Sequence, residues 1–162
     1  GVYRSSVKNA QRLARTEINM AYRSADHERW KRSDVVVGIE IRLSNNHTTR
    51  NHRGEVVPLY DICDELAARY PVTFKFVGWH PHCRCNAVPI VKTMEERRRD
   101  YRLILEGKEP SPESVNRVVS VPPKFHEWII NNYDRVLRGS SVPYFIRDNF
   151  VQGNIRLGLK TA

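Results

Sequence analysis

The sequence predicts an α+β fold: a long N-terminal helix packed on a small, about three-stranded sheet, followed by a helical C-terminal extension. Three observations lead there. A helical pattern without Gly or Pro runs from residue 2 to 32. Alternating, β-branched segments are confined to residues 35 to 91, and mixed-charge or aromatic helical patterns take over after residue 92. Between the strands and the second helical region lies GWHPHCRCNAVPI (78–90), with two histidines and two cysteines in six positions.

In the first helix, YRSSVKNAQRLARTEINMAYRSADHERWKR, residues Val7, Ala10, Ala14, Ile18, Ala21 and Ala25 recur at the 3.6-residue period and form the expected buried stripe. The first residues already read as helix and no initiator methionine is present. The chain is therefore expected to be cut from a longer protein, with Gly1 a cloning remnant. VVVGIEIRLS (35–44) is a strand with Ile39, Ile41 and Leu43 on one face and Glu40 and Arg42 on the other. NNHTTRNHRGE (45–55) reads as a polar loop, and YDICDELAARY (60–70) as a short helix with Ile62, Leu66 and Ala67 inward. VTFKFVGW (72–79) alternates and predicts a second strand, while NAVPIV (86–91) predicts a third, placed at an edge by Pro89.

Beyond residue 92, TMEERRRDYRLILEG is a helix ending near Gly107, and KEPSPES is a linker in which Ser111 or Ser114 would cap a short helix. VPPKFHEWIINNYDRVLRG gives a further helix burying Phe125, Trp128, Ile129 and Tyr133 or Val136. SVPYFIRDNFVQGNIRLGLKTA is apolar in patches and aperiodic, as expected of a segment lying across another surface.

The 162 residues suit one domain with an appendage, and 27 Lys+Arg against 18 Asp+Glu leave a formal charge of +9. Such a balance favours DNA or another acidic partner, although the basic residues are scattered. No run is long and apolar enough to predict a membrane span or export signal, so a soluble, unexported chain is expected. Cys63, Cys83 and Cys85 are odd in number, and a Cys83–Cys85 disulfide would be a strained ring, which points to metal or to buried free thiols.

The metal reading starts from His80, Cys83 and Cys85 in the turn WHPHCRC. The C-x-C spacing sets both sulfurs on one side of an extended segment and Arg84 on the other. His47 past the first strand and Cys63 in the short helix would supply the remainder. Five candidates, His47, Cys63, His80, Cys83 and Cys85, compete for the four positions of a tetrahedral zinc, and His82 is a weaker sixth. With all four positions filled by protein the zinc is structural, a knuckle-like clamp on a sheet too small to be stable alone.

ARTEINMAYR (14–23) on a long helix, followed by HPHCRCNAVP (80–89), resembles the Mu F-like phage head morphogenesis family, also called minor head or minor capsid proteins. The matching residues are Arg15, Thr16, Glu17, Asn19, His80, Pro81, Cys83, Arg84, Cys85 and Pro89, within a region of about 8 to 95. Many members carry a C-x-x-C pair after the first strand, where this chain has Ser44 and His47.

The resemblance implies a head morphogenesis domain over residues 1–95. The helical extension, 96–162, would either dock on it or lead into a fused domain beyond this chain. It implies a component of a tailed phage or prophage, acting near the portal during capsid assembly, with portal and capsid proteins as partners and no catalytic role. The protein would then pass from the bacterial host cytoplasm into the virion head, with no membrane partner and with DNA contact through its basic surface.

Two rivals come from other classes. A His-metal-finger nuclease would use His47 at the end of a strand as general base, but no second metal-binding helix follows the knuckle. A metal-free nucleic-acid-binding module would draw on RWKR (29–32) and KFHEW (124–128). On the first helix, Arg15 and Asn19 share one face, and Glu17 lies beside the stripe at Ile18 and Ala21. A carboxylate there needs a partner, so Arg15, Glu17 and Asn19 are expected to have structural roles, and Glu17→Ala to destabilise the domain.

Overall fold

The computed structural model describes residues 5–160. Helix α1 (Ser6–Lys31) starts where the Ser5 hydroxyl accepts the Lys8 N–H. Residues 3 and 4, also expected to be helical, lie outside the described region. Strand β1 (Val36–Arg42) is central in a three-stranded antiparallel sheet of order β4-β1-β5, with β4 at Arg69–Tyr70 and β5 at Asn86–Val91. Ile39 and Ile41 are buried on one face as the alternation predicts, and Pro89 sits in an edge strand, where its missing N–H costs no ladder bond. The fold class is thus α+β, with the long helix, the small sheet and the C-terminal helices all present.

Three sequence expectations need correction. The polar loop after β1 folds into a hairpin, β2 (Thr48–Arg50) against β3 (Val56–Pro58). Its turn is closed by the Asn51 side-chain oxygen, which accepts the N–H groups of Arg53 and Glu55. The helix predicted over 60–70 is only α2 (Ile62–Leu66), because Arg69 and Tyr70 leave it to pair with Glu40 and Ile39. Residues 72–79 are not a strand: Phe74, Phe76, Val77 and Trp79 are buried, but their backbone joins no sheet. Instead the Asn149 amide takes the place of a neighbouring strand, accepting the Lys75 N–H at 2.6 Å and donating to the Lys75 carbonyl at 2.9 Å.

Helix α3 (Met94–Leu105) opens with a capping box of Thr93 and Glu96 and is followed by Gly107 at φ 73°, matching the predicted end. The linker after it forms no helix. Ser111 and Ser114 instead accept the N–H groups of Glu113 and Asn116 in tight turns. Two anchors hold that linker. Lys92 is buried, pairs with Asp100 at 2.6 Å and donates to the Ser111 carbonyl. The Glu96 carboxylate accepts from Val115 N, Thr93 N and the Ser114 hydroxyl, which lowers its pKa to about 2.

The predicted last long helix is broken at Asn132 into α4 (Pro123–Asn131) and α5 (Tyr133–Arg138), and α6 (Tyr144–Asn149) follows. Phe125, Phe145, Ile146, Phe150 and Ile155 from this region join Ile39, Tyr70, Phe74 and Trp79 in one core. Phe125 meets Tyr70 and Phe74 edge-on at 5.9 and 5.5 Å, and Phe145 meets Trp79 at 5.3 Å. Burial pushes the Tyr70 hydroxyl pKa up, and that hydroxyl donates to the Leu66 carbonyl.

Candidate metal centre

Three segments deliver the site. The start of the β2–β3 hairpin brings His47, α2 brings Cys63, and the turn before β5 brings His80, Cys83 and Cys85. Asp61 and Asp64 form a reciprocal capping box that starts α2 at Ile62: the Asp61 carboxylate accepts the Cys63 N–H, and the Asp64 carboxylate accepts the Asp61 N–H. In the turn, Cys83 N–H donates to the His80 carbonyl and His82 adopts φ 61°, a left-handed conformation unusual for a side-chain-bearing residue. The Thr16 hydroxyl of α1 accepts the His82 N–H at 3.0 Å and so supports that conformation. Gly78, at φ 134°, lets the chain pass beneath α1, where a Cβ would meet Arg23 Nη1 at 2.9 Å.

The Cys63 sulfur lies 3.8 Å from the Cys83 sulfur and 3.2 Å from His80 Nε2, and these three donor atoms fall within 4.8 Å of one another. Cys85 lies beside this group, and all three cysteines are buried. His80 Nδ1 is 2.8 Å from the Pro81 carbonyl, which can only accept, so Nδ1 carries the proton and the Nε2 lone pair faces the sulfurs. This buried Cys63–His80–Cys83 group, with Cys85 beside it, can hold a metal ion.

His47 joins a second group. Its Nε2 is 3.0 Å from Asp64 Oδ2 and 3.4 Å from Asp61 Oδ1, and His47, Asp61 and Cys63 also lie within 4.8 Å of one another. Of the five residues predicted as ligands, His47, Cys63, His80 and Cys83 fall in one group or the other, whereas Cys85, beside them, and His82 fall in neither. The two aspartates escaped the sequence reading of candidate ligands. The D-x-C-D spacing around Cys63 was the available signal.

Three thiols this close cannot all ionise without a cation. Hydrogen bonds from Cys63 and then Cys85 draw the Cys83 thiol well below its ordinary range. Contact with Cys83, then with Cys85, and burial push Cys63 far up. Cys63 pulls Cys85 down, but Cys83 and burial outweigh it and leave Cys85 pushed up to about 12. The metal-free fold at neutral pH thus keeps protons on Cys63 and Cys85, and a metal must displace both. Affinity is expected to weaken as the pH is lowered near neutrality, by about 10-fold per pH unit for each thiol proton displaced. Competition with a chromophoric chelator measures this, and a pH-independent affinity would exclude the thiols as ligands.

Arg23 of α1 clamps the turn. Its guanidinium donates to the carbonyls of Val77 at 2.8 Å, Cys83 at 2.9 Å and Cys85 at 2.6 Å, and lies over the Phe76 ring. Arg84 points the other way, as the C-x-C alternation predicts, and donates to the Asn46 carbonyl just before His47.

The inward face of α1 is therefore Thr16, Arg23, His27 and Trp30, and the predicted stripe of Val7, Ala10, Ala14, Ile18, Ala21 and Ala25 is exposed throughout. Arg15 and Glu17 are exposed as well, and Asn19 is half-buried at the edge of a cavity of about 370 Å³ between α1 and the sheet. The structural roles expected of Arg15 and Glu17 thus pass to Thr16 and Arg23, because the turn presents backbone groups to the helix and not an apolar surface. Glu17→Ala is now expected to change stability by less than about 0.5 kcal/mol, as read from the thermal midpoint.

No family model, curated protein or solved structure matches the chain. Among the described residues, no helix is long and apolar enough to cross a membrane.

Proposed function

We propose that the chain is a structural module of a phage or prophage minor head protein, clamped by a zinc ion on Cys63, His80, Cys83 and Cys85. The observation that carries this reading is the buried thiol–imidazole cluster, gripped from behind by Thr16 and Arg23 of the same helix segment that bears the ARTE resemblance. Thiolate and imidazole donors favour zinc over hard cations, and four protein donors leave no place for substrate, so the ion holds the turn to α2.

The module would act beside the portal during head assembly, in the cytoplasm of a bacterial host and then in the virion, with its +9 charge turned toward DNA or an acidic neighbour. Elemental analysis of the purified chain should find tightly held zinc. In the source genome, genes for a portal protein and a terminase should adjoin this one, and a locus with neither would overturn the phage assignment. A nuclease remains the second reading, because His47 sits against both the cluster and Asp64. Metal-dependent nicking of plasmid DNA that vanishes in His47→Ala would establish it in place of the structural role.

A further inference from the structure

We propose that this centre takes up two divalent ions, the second held by His47, Asp61 and Asp64 beside the thiolate clamp. The inference rests on the clamp reading above.

Geometry is the first support. Asp61 reaches in two directions: Oδ1 lies 3.4 Å from His47 Nε2, and Oδ2 lies 3.5 Å from His80 Nε2. One carboxylate reaching both imidazoles sets the second ion directly beside the clamp, with Oδ1 as its ligand and the four donors of the clamp unchanged. Asp64 Oδ2, 3.0 Å from His47 Nε2, stands just outside the group that His47, Asp61 and Cys63 form within 4.8 Å, and it turns in to complete the set. Separations of 3.0 and 3.4 Å suit neighbouring donors around an ion with bonds of about 2.0–2.2 Å.

Charge is the second. Once the clamp is loaded, Cys63, Cys83 and Cys85 are thiolates beside the carboxylates of Asp61 and Asp64, and one divalent ion leaves this group strongly negative. Arg23, the guanidinium donating to the turn, is engaged with three carbonyls on the far side of the sulfurs. A second cation at His47 offsets the excess and takes the Nε2 lone pair, with the ring proton that Asp64 now accepts moving to Nδ1.

The two positions differ in character. The sulfurs are buried, whereas the side chains of His47, Asp61 and Asp64 are 13%, 25% and 20% exposed. Asp61 and His80 also border a cleft of about 630 Å³, faced by Trp128 and Arg135. One imidazole and two carboxylates form a harder set than the thiolates, with water to fill the remaining positions. The second ion should therefore bind more weakly and exchange faster.

The test is equilibrium dialysis of the full chain against zinc, with metal and protein quantified before and after passage over a weak chelating resin. Two zinc ions per chain at saturation, falling to one after the resin, are expected for the wild type. One ion under both conditions is expected for His47→Ala and for Asp64→Asn, with circular dichroism confirming that each is folded. His47→Ala lies outside α2 and keeps the test valid if Asp64→Asn loosens the helix cap. Saturation of the wild type at one ion would overturn the second site and leave the clamp standing. No bound zinc would overturn both. Two ions retained in both variants would place the second elsewhere and overturn this assignment.

Discussion

Replacing Cys83 by serine, or stripping the metal with a strong chelator, is expected to cost the fold about 5 kcal/mol or more, as loss of a structural metal does. Cys83 lies 3.8 Å from the Cys63 sulfur and within 4.8 Å of the His80 ring nitrogen, so its removal breaks the group at its centre. Structural zinc contributes about 10–16 kcal/mol in small domains at neutral pH, comparable to the whole stability of a typical domain. Here the aromatic core from Tyr70 to Phe145 carries part of the load, so partial loss of structure is expected instead of complete unfolding. A fall in thermal midpoint of about 10–20 °C should accompany it. Differential scanning calorimetry with and without chelator measures the change. A midpoint indifferent to chelation and to Cys83→Ser would sink the clamp.

Arg23→Ala should be the most damaging substitution on α1, costing about 3 kcal/mol, with metal affinity falling about 10- to 100-fold. The guanidinium satisfies three carbonyls, those of Val77, Cys83 and Cys85, and two of these belong to candidate ligands. Truncation strands them beneath the helix and frees the turn to rotate its sulfurs. Arg23→Lys should recover only a minor share, because a single ammonium cannot fork toward three acceptors. Urea denaturation gives the stability and competition with a chelator gives the affinity. An Arg23→Ala midpoint within error of Glu17→Ala would show that the clamp is dispensable.

The chemistry of the centre was legible because it is written compactly. His80, Cys83 and Cys85 lie within six residues, and Cys63 was a natural companion as the remaining cysteine. Strands β1 and β5 and helix α3 were equally readable, since alternation, an edge proline and a mixed-charge pattern closed by Gly107 each act within a short stretch of chain. The Asp61–Asp64 pair was hidden because both residues also serve as helix caps, which accounts for their identity without a ligand.

What the sequence alone determined about this protein is the α+β class, the edge strand and the cysteines and histidines able to bind metal, all consequences of local spacing. Tertiary structure decided which face of α1 turns inward and why residues 72–79 are not a strand. Hydrophobic periodicity selected the alanine stripe of α1, yet the helix meets unpaired carbonyls and a turn N–H, so the hydrogen-bonding face of Thr16 and Arg23 is the one buried. The alternation of Phe74 and Phe76 was read as a strand, whereas both rings are buried without one. The partner for that backbone is Asn149, 74 residues away, and periodicity cannot report a contact made at such a distance.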